Sequence, residues 1–358
     1  MPVVKNLREP SQLKPKPSDE NALGFGQYFS DHMLLMDYHA GQGWHDARIV
    51  PYGPFSLDPA ALVLHYGQEV FEGLKAYRGA GGGIYMFRPR ANLERMNRSC
   101  ARLCIPQLPV DQVLEDMYEL VRTEADWVPR APGTSLYVRP TIIATEACLG
   151  VKVSQEYLFF IIVGPVGAYY PEGFNPVSIY VEEKYVRAAP GGLGEAKTSA
   201  NYAASLLAAE EAHEKGFTQV LWLDACDKQG IEEVGTMNIF FVIGDEVITA
   251  PLGGSILPGI TRDSVIQLCQ HWGLKVSERR LTIDEVVAAQ KDGSLKEAFG
   301  SGTAAVISPV GSISYRGQTL TVGDGNTGEL SRKLYDEITG IQLGTKPDPF
   351  GWVVKVSE

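Results

Sequence analysis

Residues 190–224 read PGGLGEAKTSANYAASLLAAEEAHEKGFTQVLWLD, and they follow VSIYVEE at 177–183. The flanking pieces are rich in β-branched and aromatic residues and read as strands, whereas the alanine- and leucine-rich centre reads as a helix stopped by Gly216. Strand, glycine-rich loop, helix and strand in that order predict a mixed α/β domain. The loop holds one lysine, Lys197, at its junction with the helix, where small residues let backbone approach a ligand. A solvated surface lysine is the common case, and two chemical readings compete with it. Gly191 to Thr198 nearly matches the G-x-x-x-x-G-K-[ST] phosphate loop, with Asp224 ending a strand that could hold magnesium, but Ala196 stands where glycine is needed. Alternatively, Lys197 is a desolvated amine that forms a Schiff base with a carbonyl cofactor, the small neighbours leaving room for a flat ring. The loop alone leaves both open.

Three later segments could join it. In GIEEVGTMNIF (230–240), Glu232 and Glu233 are either solvated turn residues or acids of which one is carried inward at the start of an apolar strand. In ILPGITRDSV (256–265), the amides of Ile260 and Thr261 open a helix and make an anion site, or Thr261 is merely its N-cap. SGTAAVISP (301–309) reads as a strand broken at Gly302 and Thr303, offering amides and a hydroxyl. Between them, MNIFFVIGDEVITA (237–250) predicts a hairpin turning at Gly244-Asp245, and TRDSVIQLCQHWG (261–273) a helix with Gly273 past its end.

Toward the N-terminus, residues 1–24 read as an extended arm and strands begin after Phe25. RANLERMNRSCARLCI (90–105) places Leu93, Met96, Cys100 and Leu103 on one helical face; DQVLEDMYELVRTEADW (111–127) does the same with Val113, Leu114, Met117, Leu120 and Val121. SLYVRPTIIATEA (135–147) and EYLFFIIVGPV (156–166) read as buried strands, and the Gly- and Pro-dense stretch 164–176 as a domain boundary. The expected organisation is a small domain over 1–173, a linker over 174–182 and a large domain over 183–358.

Composition agrees with a folded, two-domain protein: 358 residues, 44% hydrophobic and 21% charged. A net charge of −11 argues against nucleic acid or an anionic membrane as partner and favours small molecules. Five cysteines without paired spacing suit a reducing compartment and no metal site. The opening stretch is charged and Pro-rich without an apolar signal core, and the longest apolar run, 157–170, is broken by Gly and Pro, so a soluble cytoplasmic protein is expected.

Taken in order, LHYGQEVFEGLKAYR (64–78), FRPRANLERM (87–96), SLYVRPTI (135–142), GPVGAYYP (164–171), EAKTSANYAASL (195–206), EEVGTMNIFFV (232–242), LPGITRDSV (257–265) and SGTAAVISP (301–309) resemble the branched-chain amino acid aminotransferases. These are pyridoxal-phosphate enzymes of fold type IV, and the likeness is to the subgroup that includes the mammalian enzymes. The resemblance runs from about Phe25 over nearly the whole chain. It implies two α/β domains, the larger a C-terminal pseudo-barrel, and reversible transfer of the amino group from L-leucine, L-isoleucine or L-valine to 2-oxoglutarate. The products are the branched-chain 2-oxo acid and L-glutamate, formed by a ping-pong cycle in amino-acid metabolism, biosynthesis included.

The resemblance also implies roles. Lys197 resembles the Schiff-base lysine that moves the substrate proton, and Glu233 the acid on the pyridine nitrogen. Tyr202 resembles the partner of the ring hydroxyl, and Arg95, Ile260, Thr261 and Thr303 the phosphate ligands. Phe25, Tyr66, Phe71, Tyr137 and Tyr169 correspond to pocket walls, and Arg139 to a reserve cation for the glutamate carboxylate. The Phe25 correspondence rests on the short match FGQYFSDHML (25–34). Thr303 and Ala304 would meet the substrate α-carboxylate. Leu149 and Val151 would reach the partner subunit's pocket in a homodimer. The Cys-x-x-Cys pair of some mammalian members is replaced here by Ala305 and Ser308, so thiol regulation of that kind is not expected. D-amino acid aminotransferase and aminodeoxychorismate lyase share the fold type and differ in substrate. A cofactor-binding protein without turnover would not be expected to keep both Lys197 and Glu233.

Overall fold

The structure is a computed structural model describing residues 3–167 and 174–357. It divides into two compact units, Met1–Tyr169 with Gly340–Glu358, and Tyr170–Thr339. The return of the last segment to the first unit differs from the expected 183–358 domain. Its cause is local: the terminal strand pairs with a strand of the first sheet.

In the first unit the strands are β1 (Val4–Lys5), β2 (His32–His39), β3 (Gly43–Pro51), β4 (Glu69–Phe71), β5 (Leu74–Arg78), β6 (Ile84–Phe87), β7 (Ser135–Ala144) and β8 (Glu156–Val166). Helices α1 (Leu62–Tyr66), α2 (Pro89–Arg102) and α3 (Val110–Thr123) complete it. The sheet order is β1-β3-β2-β8-β7-β5-β6, with the C-terminal strand Val353–Ser357 added antiparallel beside β6 and with β4 on β7. The predicted faces are the buried ones: Leu93, Met96 and Cys100 of α2, and Val113, Leu114, Met117, Leu120 and Val121 of α3, join one core with Leu34, Ile49 and Phe159. Leu103 lies at the C-cap of α2 and only packs against that core. The N-terminal arm is tied down, because β1 pairs in parallel with β3 and the Arg8 amide donates to His32 Nε2 at 2.9 Å.

Proline inside a central strand removes a ladder donor. In β7, Pro140 escapes this cost because β5 pairs only as far as Val138 and β4 begins at Thr141. Its carbonyl accepts instead from the Glu72 amide at 2.8 Å. That gap therefore seats Glu72 between β4 and β5.

The second unit contains β9 (Val177–Glu182), α4 (Ser199–Glu214), β10 (Gln219–Leu223), β11 (Ile231–Val234), β12 (Met237–Ile243), β13 (Glu246–Thr249), α5 (Ile260–His271), β14 (Lys275–Glu278), α6 (Ile283–Lys291), β15 (Leu295–Gly302), β16 (Val306–Tyr315) and β17 (Gln318–Thr321). Helix α7 (Glu329–Gln342) follows, and Val353–Ser357 is β18. The order β11-β10-β9-β16-β15-β12, with β12 pairing again to β11, closes six strands into a barrel. A closed sheet has no exposed edge among these strands. The structure corrects the linker expectation, since Val177–Glu182 is β9, hydrogen-bonded to β10 and β16. Its alternating apolar residues are consumed by the barrel wall.

Two further corrections concern loops. SGTAAVISP is a hairpin rather than one interrupted strand: Gly302 pairs with Val306, and Thr303 to Ala305 form the turn. Closing it puts Val306 at φ 64°, a left-handed conformation that costs a β-branched residue about 1–3 kcal/mol. Thr261 is not an N-cap, because Gly259 occupies that position and Thr261 lies inside α5.

Candidate active site

Lys197 ends the glycine-rich loop, and α4 starts two residues later. Its Nζ donates to the Tyr202 hydroxyl at 2.7 Å, lying 5.3 Å from that ring's centroid. The loop can reach this position only with glycine at 194, where a Cβ would stand 2.2 Å from the Ser255 carbonyl oxygen. Arg187 fastens the loop from the other side. Its Nη2 donates to the Gly194 carbonyl at 3.3 Å and also to the Ser255 carbonyl.

Glu232 and Glu233 lie on β11 and are both buried, which excludes the solvated-turn reading. Glu233 Oε1 accepts from Asn238 Nδ2 at 2.9 Å and from the Leu257 amide at 3.3 Å. Its Oε2 lies 2.5 Å from Arg187 Nε, an ion pair by proximity, since that N–H is not aligned on any acceptor. Burial pushes the Glu233 carboxyl up to about 7, against the pull of Arg187, the Leu257 amide and Lys197. Glu232 is raised by burial too; its Oε1 takes the Ser255 hydroxyl, whereas Oε2 has no partner. Arg187, Asn201, Tyr202, Glu233 and Leu257 line one recess. A buried acid on one wall and a phenol on another suit a flat, basic ring.

The N-terminus of α5 is anchored to the same acid. A Cβ on Gly259 would stand 2.0 Å from Oδ1 of Asn238, the residue that holds Glu233. Ile260 and Thr261 begin the helix, where first-turn amides lack intrahelical acceptors and the dipole favours an anion. Thr303 and Ala304 occupy the tight β15–β16 turn of the same unit.

In the first unit, Arg95 is buried on α2 and grips Glu72 with two bonds, Nε to Oε1 at 2.7 Å and Nη2 to Oε2 at 2.8 Å. Arg139 and Tyr137 alternate along β7 on one face. Arg139 Nη2 donates to the Tyr137 hydroxyl at 3.0 Å, its guanidinium lies 4.7 Å from the Phe71 ring, and Phe25 packs edge-on to Tyr137 at 5.0 Å. Arg139 Nε is buried without an acceptor. The pocket beside it is lined by Phe25, Tyr137, Arg139 and Ile162. Tyr66 stands elsewhere, its hydroxyl bonded to the Leu149 carbonyl, with Leu149 and Val151 exposed. Tyr169 lies outside the described residues.

The sequence matches the family model for amino-transferase class IV over residues 69–313. The chain belongs to the class IV aminotransferases. It is 59% identical over 347 residues to branched-chain-amino-acid aminotransferase 2 of Bacillus subtilis (strain 168), covering 97% of this chain and 95% of that one. Among solved structures, the Escherichia coli branched-chain amino acid aminotransferase superposes with a TM-score of 0.75 at 28% identity, covering 91% of this chain and 99% of that one. The branched-chain amino acid aminotransferase from Thermobaculum terrenum in PLP-form (holo-form) gives 0.74 at 25% identity, over 93% of this chain and 100% of that one.

Within this aminotransferase, the contributors to which the sequence reading gave no role include Arg187, Asn201, Asn238 and Ser255. Arg187 lies ten positions before Lys197 in YVRAAPGG, in no recognisable motif. Asn238 carries a sequence signal, a polar residue among the apolar ones of β12, which burial obliges to find a partner. Among the described residues no group of three His, Cys, Asp or Glu side chains could hold a metal ion, and no helix is long and apolar enough to cross a membrane.

Proposed function

We propose that the protein, a cytoplasmic homodimer, transfers the amino group of L-leucine, L-isoleucine or L-valine to 2-oxoglutarate, with pyridoxal 5'-phosphate as cofactor, in a ping-pong cycle. The observation that carries this reading is the Lys197 amine on the Tyr202 hydroxyl, in a unit whose buried Glu233 keeps one oxygen beside an unaligned arginine N–H. The donor set fits the cofactor. Glu233 suits a protonated ring nitrogen, Tyr202 a ring hydroxyl, and Ile260, Thr261 and Thr303 the phosphate.

When bound, pyridoxal phosphate supplies the carbonyl that takes up the amino group and a ring that withdraws electrons from the substrate α-carbon. The Lys197 Nζ takes the proton from the substrate α-carbon and returns one, a task that needs an amine held close and able to swing. Tyr202 gives that amine a fixed resting partner. Glu233, as a carboxylate, would hold the proton at the ring nitrogen, and Arg187 beside Oε2 draws the acid toward its charged form against the effect of burial. The Ala304 amide orients the substrate α-carboxylate.

Acceptance of both an aliphatic and an acidic side chain is supported by the first-unit pocket. Phe25 and Tyr137 line it with apolar surface, Phe71 lies against the Arg139 guanidinium, and the buried Nε–H of Arg139 gives a carboxylate its counter-charge. Arg95 on the phosphate, Tyr66 and Tyr169 on the substrate, and Leu149 with Val151 on the partner subunit's pocket rest on family likeness. Leu149 and Val151 are 65% and 83% exposed, as a surface covered by a second copy would be in one chain. The test is a coupled assay of the purified holoprotein with L-leucine and 2-oxoglutarate, D-alanine being the control donor, with sedimentation run alongside. Glutamate formation from leucine alone is expected; transfer from D-alanine without transfer from leucine overturns the reading.

A further inference from the structure

Lys197 is the residue on which the proposed reaction turns, and its side chain is flexible. Its backbone must therefore be held by something else. In the loop before it, the carbonyls of Leu193, Gly194 and Ala196 accept side-chain N–H groups. Arg187 takes Gly194. The other two are taken by one side chain: Asn201 Nδ2 donates to the Leu193 carbonyl at 2.8 Å and to the Ala196 carbonyl at 2.8 Å. Leu193 O also receives the Ala196 amide at 2.9 Å, so the turn that ends in Lys197 is closed by backbone and clamped by the amide group.

Three properties make this more than a local cap. Asparagine is a poor helix former, yet Asn201 occupies the first turn of α4 in a segment otherwise rich in alanine and leucine. It is buried, so its two N–H groups need acceptors, and the two loop carbonyls supply both. It also directly precedes Tyr202, whose hydroxyl receives the Lys197 amine. The clamp thus links the backbone of the amine to the turn that carries the amine's partner. No other short side chain has two donors on one nitrogen; aspartate in the same place would face the carbonyls with negative charge.

We infer that Asn201 is a positioning residue for Lys197, holding the turn of residues 193–197 on the first turn of α4 so that the amine meets the Tyr202 hydroxyl. This rests on the assignment of Lys197 as the reactive amine. Displacement of a reacting group by about 1 Å costs about 10²-fold in rate. Asn201→Ala and Asn201→Asp are therefore expected to lower kcat by about ten- to a hundredfold, with the KM for leucine changed less than about threefold.

The experiment uses the cofactor-loaded protein and adds a readout that a merely structural role would not move: the pH midpoint of the visible absorbance of the lysine-bound cofactor. Both variants should retain the cofactor and shift that midpoint, Asn201→Asp further than Asn201→Ala because it adds charge. Melting curves show whether each variant is folded, and if Asn201→Ala is not, Asn201→Ser, which keeps one donor, takes its place with a smaller effect in the same direction. A folded variant whose midpoint and kcat match the parent overturns the inference, as does a lowered melting temperature with both unchanged. Turnover surviving in Lys197→Ala would instead remove the assignment underneath, a separate result.

Discussion

Nζ of Lys197 donates to the hydroxyl of Tyr202, five residues on, at 2.7 Å across the start of a helix. The span works because residues 193–197 fold back as a turn and α4 begins at Ser199, so the phenol sits in the opening turns, close to the loop. The phenol gives the amine a partner at a fixed place on the helix that follows it. The acid of the site, Glu233, is engaged by Arg187, Asn238 and Leu257.

The first prediction concerns that amine. Lys197→Ala should abolish the visible absorbance of the lysine-bound cofactor and its bleaching by borohydride, and lower turnover by at least about 10²–10⁴-fold, the range for a lost proton-transfer group. Tyr202→Phe keeps the amine but removes its partner, and a smaller loss of about tenfold is expected, on the scale of one hydrogen bond to a charged group. A spectrophotometric titration together with initial rates measures both, and equal losses in the two variants would contradict the separate roles.

A second prediction follows from the burial of Glu233, which raises its carboxyl from an ordinary value near 4.5 to about 7. A raised acid binds its proton more tightly in the fold than in the unfolded chain, so unfolding releases a proton between those two values. Stability of the cofactor-free protein therefore falls as pH rises through that window, and the loss is complete above about 7. Glu233→Gln removes this contribution. Melting curves of cofactor-free parent and variant should agree best near pH 4.5 and diverge upward in favour of the variant, by on the order of 3 kcal/mol at most. Glu232 titrates in both proteins, so the informative quantity is the gap between them, and a gap independent of pH defeats the argument. In the loaded enzyme the same variant should lose activity, having no charge for the ring nitrogen.

Specificity provides the third. Arg139 has a buried Nε without an acceptor and a guanidinium stacked on Phe71. Arg139→Gln should leave the leucine half-reaction within about threefold and raise the KM for glutamate or 2-oxoglutarate about ten- to a hundredfold, the scale of a lost charged hydrogen bond. Half-reactions followed separately by the cofactor's absorbance test this. Equal damage to both would place Arg139 in the support of the sheet instead of in the recognition of carboxylate.

How much of this was legible beforehand depended on whether the signal was periodic or chemical. The amphipathic faces of α2 and α3 were, because burial selects Leu93, Met96, Val113 and Met117 at helical spacing. The lysine in its glycine-rich loop and the acid pair 232–233 at the start of an apolar strand stood out chemically, and the resemblance pointed to 233 within the pair. Long-range choices were not legible. VSIYVE looks the same as a linker's first strand and as a barrel stave, and only its pairing with both β10 and β16 decides. Likewise the hairpin at Thr303 to Ala305 needs Val306 in a left-handed conformation, which a β-branched residue would not be assigned from sequence. Arg187 and Ser255 lie far apart in sequence, and nothing local announces that one donates to the other.

The last prediction joins the acid to the anion-binding end of α5. A methyl on Gly259 would stand 2.0 Å from Asn238 Oδ1 and 3.1 Å from Arg262 Cβ. Asn238 cannot retreat freely, because its Nδ2 is held by both Glu233 and the Leu257 carbonyl at 2.9 Å each. Gly259→Ala should therefore cost about 1–3 kcal/mol as an overpacked site, and it should weaken cofactor binding because Glu233 and the first turn of α5 are displaced together. Asn238→Ala alone leaves Glu233 short of one donor and is destabilising on its own account, by about 1–3 kcal/mol. In the double variant the clash with the amide oxygen is gone and only the milder contact with Arg262 Cβ remains, so the cost of Gly259→Ala should shrink on the Asn238→Ala background, giving a favourable coupling of about 0.5–3 kcal/mol. Denaturant unfolding of the four proteins completes the cycle. Strict additivity would show that the glycine is required by something other than Asn238, and that the acid and the helix terminus are not built as one piece.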